Sequence, residues 1–143
     1  MTRLRILITA LAIFCFGIAA AARAGNDADR DAMRAIITGQ LQAFASGRDD
    51  EAYGYAAPLI KFAFPTVGSF MAMVKKGYQP VHRNNGYSFG ESATDPTGRP
   101  TETVIIRGAD GKTYEARYTL EQQPDGTWKI AGCVIRTLPG QEV

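Results

Sequence analysis

The stretch TETVIIRGADGKTYEARYTLEQQPDGTWKIAGCVIR, residues 101–136, decides the fold. Two Asp-Gly turns, Ala109-Asp110-Gly111 and Pro124-Asp125-Gly126, divide it into three runs of strand-forming residues. A three-residue loop with glycine in the left-handed region closes such a pattern with little strain, so the stretch predicts a three-stranded antiparallel meander. The closures also set a register. Across the second turn Glu121 should face Lys129, Leu120 face Ile130, Tyr118 face Gly132, Arg117 face Cys133 and Ala116 face Val134. Across the first, Ile106 should face Tyr114 and Val104 face Ala116. Apolar partners and opposite charges then meet. One face carries Val104, Ile106, Tyr114, Ala116, Tyr118, Leu120, Trp128, Ile130 and Val134, and the other carries Glu115, Arg117, Thr119, Glu121, Lys129 and Cys133. Such a sheet is built to be covered on one side.

Working back toward the N-terminus, Asp95-Pro96-Thr97-Gly98 is a turn signal, and the alternation of Tyr87 and Phe89 predicts a fourth strand over Tyr87 to Ala93. Before it, Thr66 is placed to cap a helix holding Val67, Phe70, Met71, Val74 and Tyr78, with Lys75 and Lys76 in its last turn. Leu59 to Phe64 reads as an irregular connector or short helical turn. A short helix from Asp49 or Asp50 should stop at Pro58. The first long helix starts among Asp27, Asp29 and Asp31, presents Met33, Ile36, Ile37, Leu41 and Phe44 at three- and four-residue spacing, and ends at Ser46-Gly47.

The first 24 residues differ in kind. Arg3 and Arg5 precede an apolar run from Ile6 to Ala22, and Ala22-Arg23-Ala24 supplies small residues two apart. This is the pattern of a secretory signal, residues 1–24, cleaved after Ala24 and leaving one domain, 25–143. The run is shorter than the ~20 residues that span a bilayer, so a periplasmic or secreted protein without a membrane anchor is expected. The whole chain of 143 residues has 16 basic and 14 acidic side chains, net +2. Cleavage removes three arginines, leaving 13 against 14, so the mature net charge is −1. Net charge therefore gives no reason to expect nucleic-acid or membrane binding. Cys133 is the one cysteine left, which excludes an internal disulfide, and no spacing suited to a metal or a cofactor occurs.

Helices followed by a curved antiparallel sheet of about four strands define an α+β class. That order resembles the cone of the nuclear transport factor 2-like (cystatin-like) superfamily. The runs FMAMVKKGYQPV (70–81) and LEQQPDGTWKIAGCV (120–134) resemble a family of short exported proteobacterial proteins classed as a domain of unknown function. That resemblance implies fold and export and transfers no catalytic residue. The wider superfamily holds isomerases, cyclases, epoxide hydrolases and non-catalytic binders.

Three functions follow for the chain. The first is a non-catalytic module binding a small apolar ligand or a protein partner, with Tyr53, Tyr78, Tyr114, Tyr118, Trp128 and Gly132 as pocket candidates. The second is a pocket enzyme using Glu102 or His82 for proton transfer, since Glu102 falls on the covered face opposite Tyr118 and His82 is the sole histidine. For Glu102 the competing expectation is an exposed charge at a strand end, and for His82 a surface or capping role. The third is a homodimer joined through the polar sheet face by Arg117, Cys133 and Ile135.

Overall fold

The structure is a computed structural model that describes residues 15–140, with side chains from residue 26. The predicted signal segment and its cleavage point lie outside the residues whose side chains are described. Nine elements follow in order: α1 (Cys15–Ala45), α2 (Asp49–Gly54), α3 (Pro58–Ala63), α4 (Val67–Gly77), α5 (Gln79–His82), β1 (Asn84–Thr94), β2 (Pro100–Gly108), β3 (Thr113–Gln122) and β4 (Trp128–Thr137). The strands form one antiparallel sheet in the order β1-β2-β3-β4, so helices followed by a meander give the expected α+β fold. Among the described residues no helix is long and apolar enough to cross a membrane.

The helices obey the apolar spacing. Met33, Ile37, Leu41 and Phe44 are buried along α1 and meet Val104, Ile106, Ala116, Tyr118, Leu120 and Ile130 of the sheet in one core. Each fully buried side chain of this size is worth about 1.5–3 kcal/mol of transfer free energy. α1 ends where Gly47 takes φ +67, with Gly47 N–H bonding the Phe44 carbonyl and Arg48 N–H the Ala43 carbonyl, the Schellman closure. Pro58 does not stop α2, which has already ended at Gly54; it opens α3 from a first-turn position where its missing N–H costs nothing. α5 has no counterpart in the expectation. Its four residues sit in the turn-rich segment whose composition mixes helix and turn formers.

All three hairpins close alike. Gly98, Gly111 and Gly126 adopt φ +87, +80 and +85, and their N–H groups bond Asp95, Gly108 and Gln123 respectively. Asp110 and Asp125 accept from the backbone N–H two residues on, at 3.0 and 2.9 Å, which holds the turns from the side-chain end. The predicted register of the first hairpin is therefore found as stated, including Glu102 opposite Tyr118.

The second hairpin departs from its prediction after two pairs. Glu121 meets Lys129 and Leu120 meets Ile130, but Thr119 then meets Gly132, so Ala131 is an extra residue in β4. From there every partner moves by one. Tyr118 faces Cys133, Arg117 faces Val134 and Ala116 faces Ile135. Because side chains alternate, this bulge exchanges the faces of the strand beyond it. Cys133 and Ile135 turn to the covered side and pack against the core, while Val134 stands 71% exposed on the other. Ile130 meanwhile directs its N–H to Tyr55 and its carbonyl to the Ala57 N–H, at 2.9 and 2.8 Å, so Tyr55 to Ala57 covers the outer edge of β4 at that point.

α4 shows the clearest local determinant. Thr66 Oγ1 accepts from Ser69 N–H at 3.1 Å and Ser69 Oγ accepts from Thr66 N–H at 3.2 Å, a reciprocal capping box. Replacing Thr66 by Ala should lower unfolding stability by about 1 kcal/mol in a urea titration, with unchanged slope.

Candidate functional site

The bulge borders a recess beneath the helices. A cavity of about 460 Å³ lies between α4, α5 and the end of α1 on one side and β3–β4 on the other. Phe44, Phe70, Val74, Val81 and Ile130 make it largely apolar, Gln40, Arg99 and Thr119 add polar groups, and its floor follows the irregular run Ala131-Gly132-Cys133. A Cβ built on Gly132 would meet nothing within 4 Å, so the residue leaves open space in that floor.

Tyr118 supplies the polar group of the floor. The residue is 1% exposed and its hydroxyl has no hydrogen-bond partner of ordinary geometry. Its polar neighbour is the Cys133 thiol, and burial pushes the phenol well above its usual range. Burial likewise pushes the Cys133 thiol up to about 12, against a weaker lowering by Tyr118. Although Cys133 as a residue is partly exposed, its thiol is the inward, desolvated part. At neutral pH both groups are thus uncharged, one a phenol and the other a thiol. Tyr78 completes this corner by donating from its hydroxyl to the Cys133 carbonyl at 3.1 Å. Burial raises its pKa too.

Glu102 is wholly buried, which overturns the strand-end alternative. Arg34 Nε donates to Glu102 Oε2 at 2.8 Å, and the same guanidinium reaches the Gly90 carbonyl at 3.0 Å and Ser92 Oγ at 3.2 Å. Its central carbon, Cζ, lies over the Phe89 ring, 4.8 Å from the ring centre. Glu102 Oε1 has no partner, so the cross-strand neighbours Glu102 and Tyr118 are both buried with one unsatisfied oxygen each. Glu102 lines a separate cleft of about 390 Å³ with Trp128 and with Asn26, Asp27, Arg30 and Met33 of α1.

The other sequence candidates are dispersed. Tyr53 stays outside the main cavity lining but braces it, donating to the Phe64 carbonyl at 2.8 Å with its ring 5.3 Å from that of Phe70. Trp128 belongs to the Glu102 cleft. Tyr114 lies at the far end of the sheet, bonded to Asp110. His82 packs edge-on against Phe44 at 5.8 Å and is not among the lining residues; burial first, and then Lys75, lower its pKa, with Asp49 opposing. Of the polar-face trio, Arg117 alone keeps its place, 3.6 Å from Glu115, because the bulge carries Cys133 and Ile135 to the covered side.

Arg34 is the residue that sequence reasoning passed over. It lies in the stripe that continues through Ile37, Leu41 and Phe44, and a charge within an apolar helical stripe is the signal that a buried counter-charge awaits it.

A family model described as a domain of unknown function (DUF4864) matches residues 26–143. The chain belongs to this family. No curated protein and no solved structure matches it. In this DUF4864 chain both the main cavity and the Arg34–Glu102 pair fall within the matched residues.

Substituting Arg34 by Met leaves the Glu102 carboxylate buried and alone. Since the Arg34 side chain is 27% exposed, the loss in chemical denaturation should be about 2–4 kcal/mol, below a fully enclosed pair, and Arg34→Met/Glu102→Leu should recover most of it. A second expectation concerns pH. The Cys133 proton is held more tightly folded than unfolded, so its contribution is complete below about pH 9 and declines as pH rises toward about 12. Cys133→Ala should flatten that alkaline decline in stability.

Proposed function

We propose that this protein is a non-catalytic, exported binding module whose cavity between the helices and β3–β4 takes a small apolar ligand with one hydrogen-bonding group. The observation that carries the reading is the buried hydroxyl of Tyr118, which meets the Cys133 thiol but has no hydrogen-bond partner of ordinary geometry, on a residue that lines a mainly apolar cavity. An unsatisfied buried hydroxyl costs about 1–3 kcal/mol, and a ligand that engages it relieves that cost. The cavity also falls within the size range of small-molecule sites. With the phenol and thiol both held neutral, the floor favours an uncharged polar group such as a carbonyl or hydroxyl.

The arrangement of helices laid over one face of a meander is the support for a nuclear transport factor 2-like cone. Export rests on the composition of residues 1–24, and the family match starting at residue 26 agrees with a domain that begins there. Proton-transfer chemistry by Glu102 or His82 is the weaker reading. Glu102 is engaged by Arg34 and lines a different cleft, and His82 stands outside the cavity lining, so neither is placed in the main cavity as a working base.

Native mass spectrometry of the protein recovered after export should show a retained small molecule. Tyr118→Phe should raise the stability of the empty protein by about 1 kcal/mol and weaken retention about five- to tenfold. A variant that binds as well as the parent would remove the basis for this reading.

A further inference from the structure

The geometry points to α3 as a docking element for an anionic phospholipid surface. α3 has the sequence Pro-Leu-Ile-Lys-Phe-Ala and contributes no buried residue, and its N-terminus has no side-chain cap. Its two faces are both apolar. Ile60 faces the main cavity, where the following Phe64 joins it, while Leu59 and Phe62 are 70% and 85% exposed. With Val134 on the neighbouring β4, these are the exposed large hydrophobic side chains among the described residues, and all three lie on elements that border the cavity. An exposed aromatic beside an exposed leucine on so short a helix gains nothing from water.

Charge selects the occupant. Between Glu51 and Glu91 the chain has no acidic residue and four basic ones, Lys61, Lys75, Lys76 and Arg83. None of the four is in an ion pair among the described residues. The acidic surplus of residues 25–143 therefore lies wholly in the rest of the chain, and a mature net charge of −1 conceals a basic stretch, residues 52–90, that supplies α3, α4 and α5. α3 and α4, which carry three of these lysines, both border the cavity. Exposed Leu and Phe on the same short helix as Lys61, whose ammonium lies over the Tyr53 ring and outside any ion pair, in a stretch of chain with no acidic residue, is the combination that holds a peripheral protein at a headgroup boundary. Apolar side chains enter the acyl edge, and each basic group near the surface adds about 1 kcal/mol with anionic lipid. A protein partner that uses the same apolar residues has no requirement for the lysines. On the ligand-binding reading of the preceding subsection, docking in this orientation brings the cavity mouth to the lipid, where apolar ligands reside.

Co-sedimentation tests this directly, with the protein as recovered after export and vesicles of either phosphatidylcholine alone or an equimolar phosphatidylcholine–phosphatidylglycerol mixture. The parent should partition onto the anionic vesicles and lose that partition as salt rises. Leu59→Ser/Phe62→Ser should bind at least about tenfold less, and Lys75→Gln/Lys76→Gln should lose the preference for the anionic lipid. Because Leu59 and Phe62 are exposed, the double serine variant keeps its core, and an unchanged denaturation midpoint verifies this. Tyr118→Phe should bind vesicles like the parent, which separates failure of lipid docking from failure of ligand binding. Equal binding by parent and serine variant, or no binding to anionic vesicles, overturns the inference. So does a concentration-dependent dimer that the serine variant abolishes, which would make the patch a contact between copies.

Discussion

Ala131 has no partner on β3, and this one extra residue governs what the sheet presents on each side. Without it the strand would continue in the register set by the Pro124–Gly126 turn. Cys133 would then stand beside Arg117 in water and Val134 would enter the core. With it, Cys133 joins Tyr118 under the helices, Val134 is exposed, and the backbone departs from regular pairing at the place where the cavity has its floor. Ile130, immediately before the bulge, bonds on its outer side to Tyr55 and Ala57. The irregularity is thus fastened between β3 and the segment that links α2 to α3.

The polar groups under the helices form two separate arrangements. At one end Arg34 and Glu102 neutralise one another, at the cost of desolvating both, and Arg34 also ties α1 to β1 through Gly90 and Ser92. Nearer the bulge, Tyr118 and Cys133 are desolvated and neutral. The leftover oxygens of Glu102 and Tyr118 mark the cross-strand pair where the interior is least satisfied. A protein selected only for stability would fill such positions with apolar side chains. Tyr118 borders the main cavity and Glu102 the separate cleft, so each unsatisfied oxygen belongs to a residue that lines a recess.

Much of this was legible residue by residue. The spacing of Met33, Ile37, Leu41 and Phe44 identified the buried stripe of α1, Thr66 identified the start of α4, and the glycines of the turns set the first hairpin and the opening of the second. Of the pocket candidates, Tyr78, Tyr118 and Gly132 line the main cavity, whereas Tyr53, Tyr114 and Trp128 are carried elsewhere by their own partners. Alternation identifies a face but does not say how far along that face a helix covers it.

What the sequence determined by itself is therefore what depends on neighbours in the chain: helical stripes, caps, left-handed glycine turns and the two-residue alternation of a strand. The tertiary structure decided what depends on residues far apart. Arg34 and Glu102 are separated by 68 positions, and the charge of each has meaning only once the other is known. Gly132 hints at a bend in β4, but the bulge at Ala131 beside it is defined only by the partners it shifts. That α3, with exposed Leu59 and Phe62, lies against β4, with exposed Val134, likewise arises from packing, because no periodicity in the chain joins them.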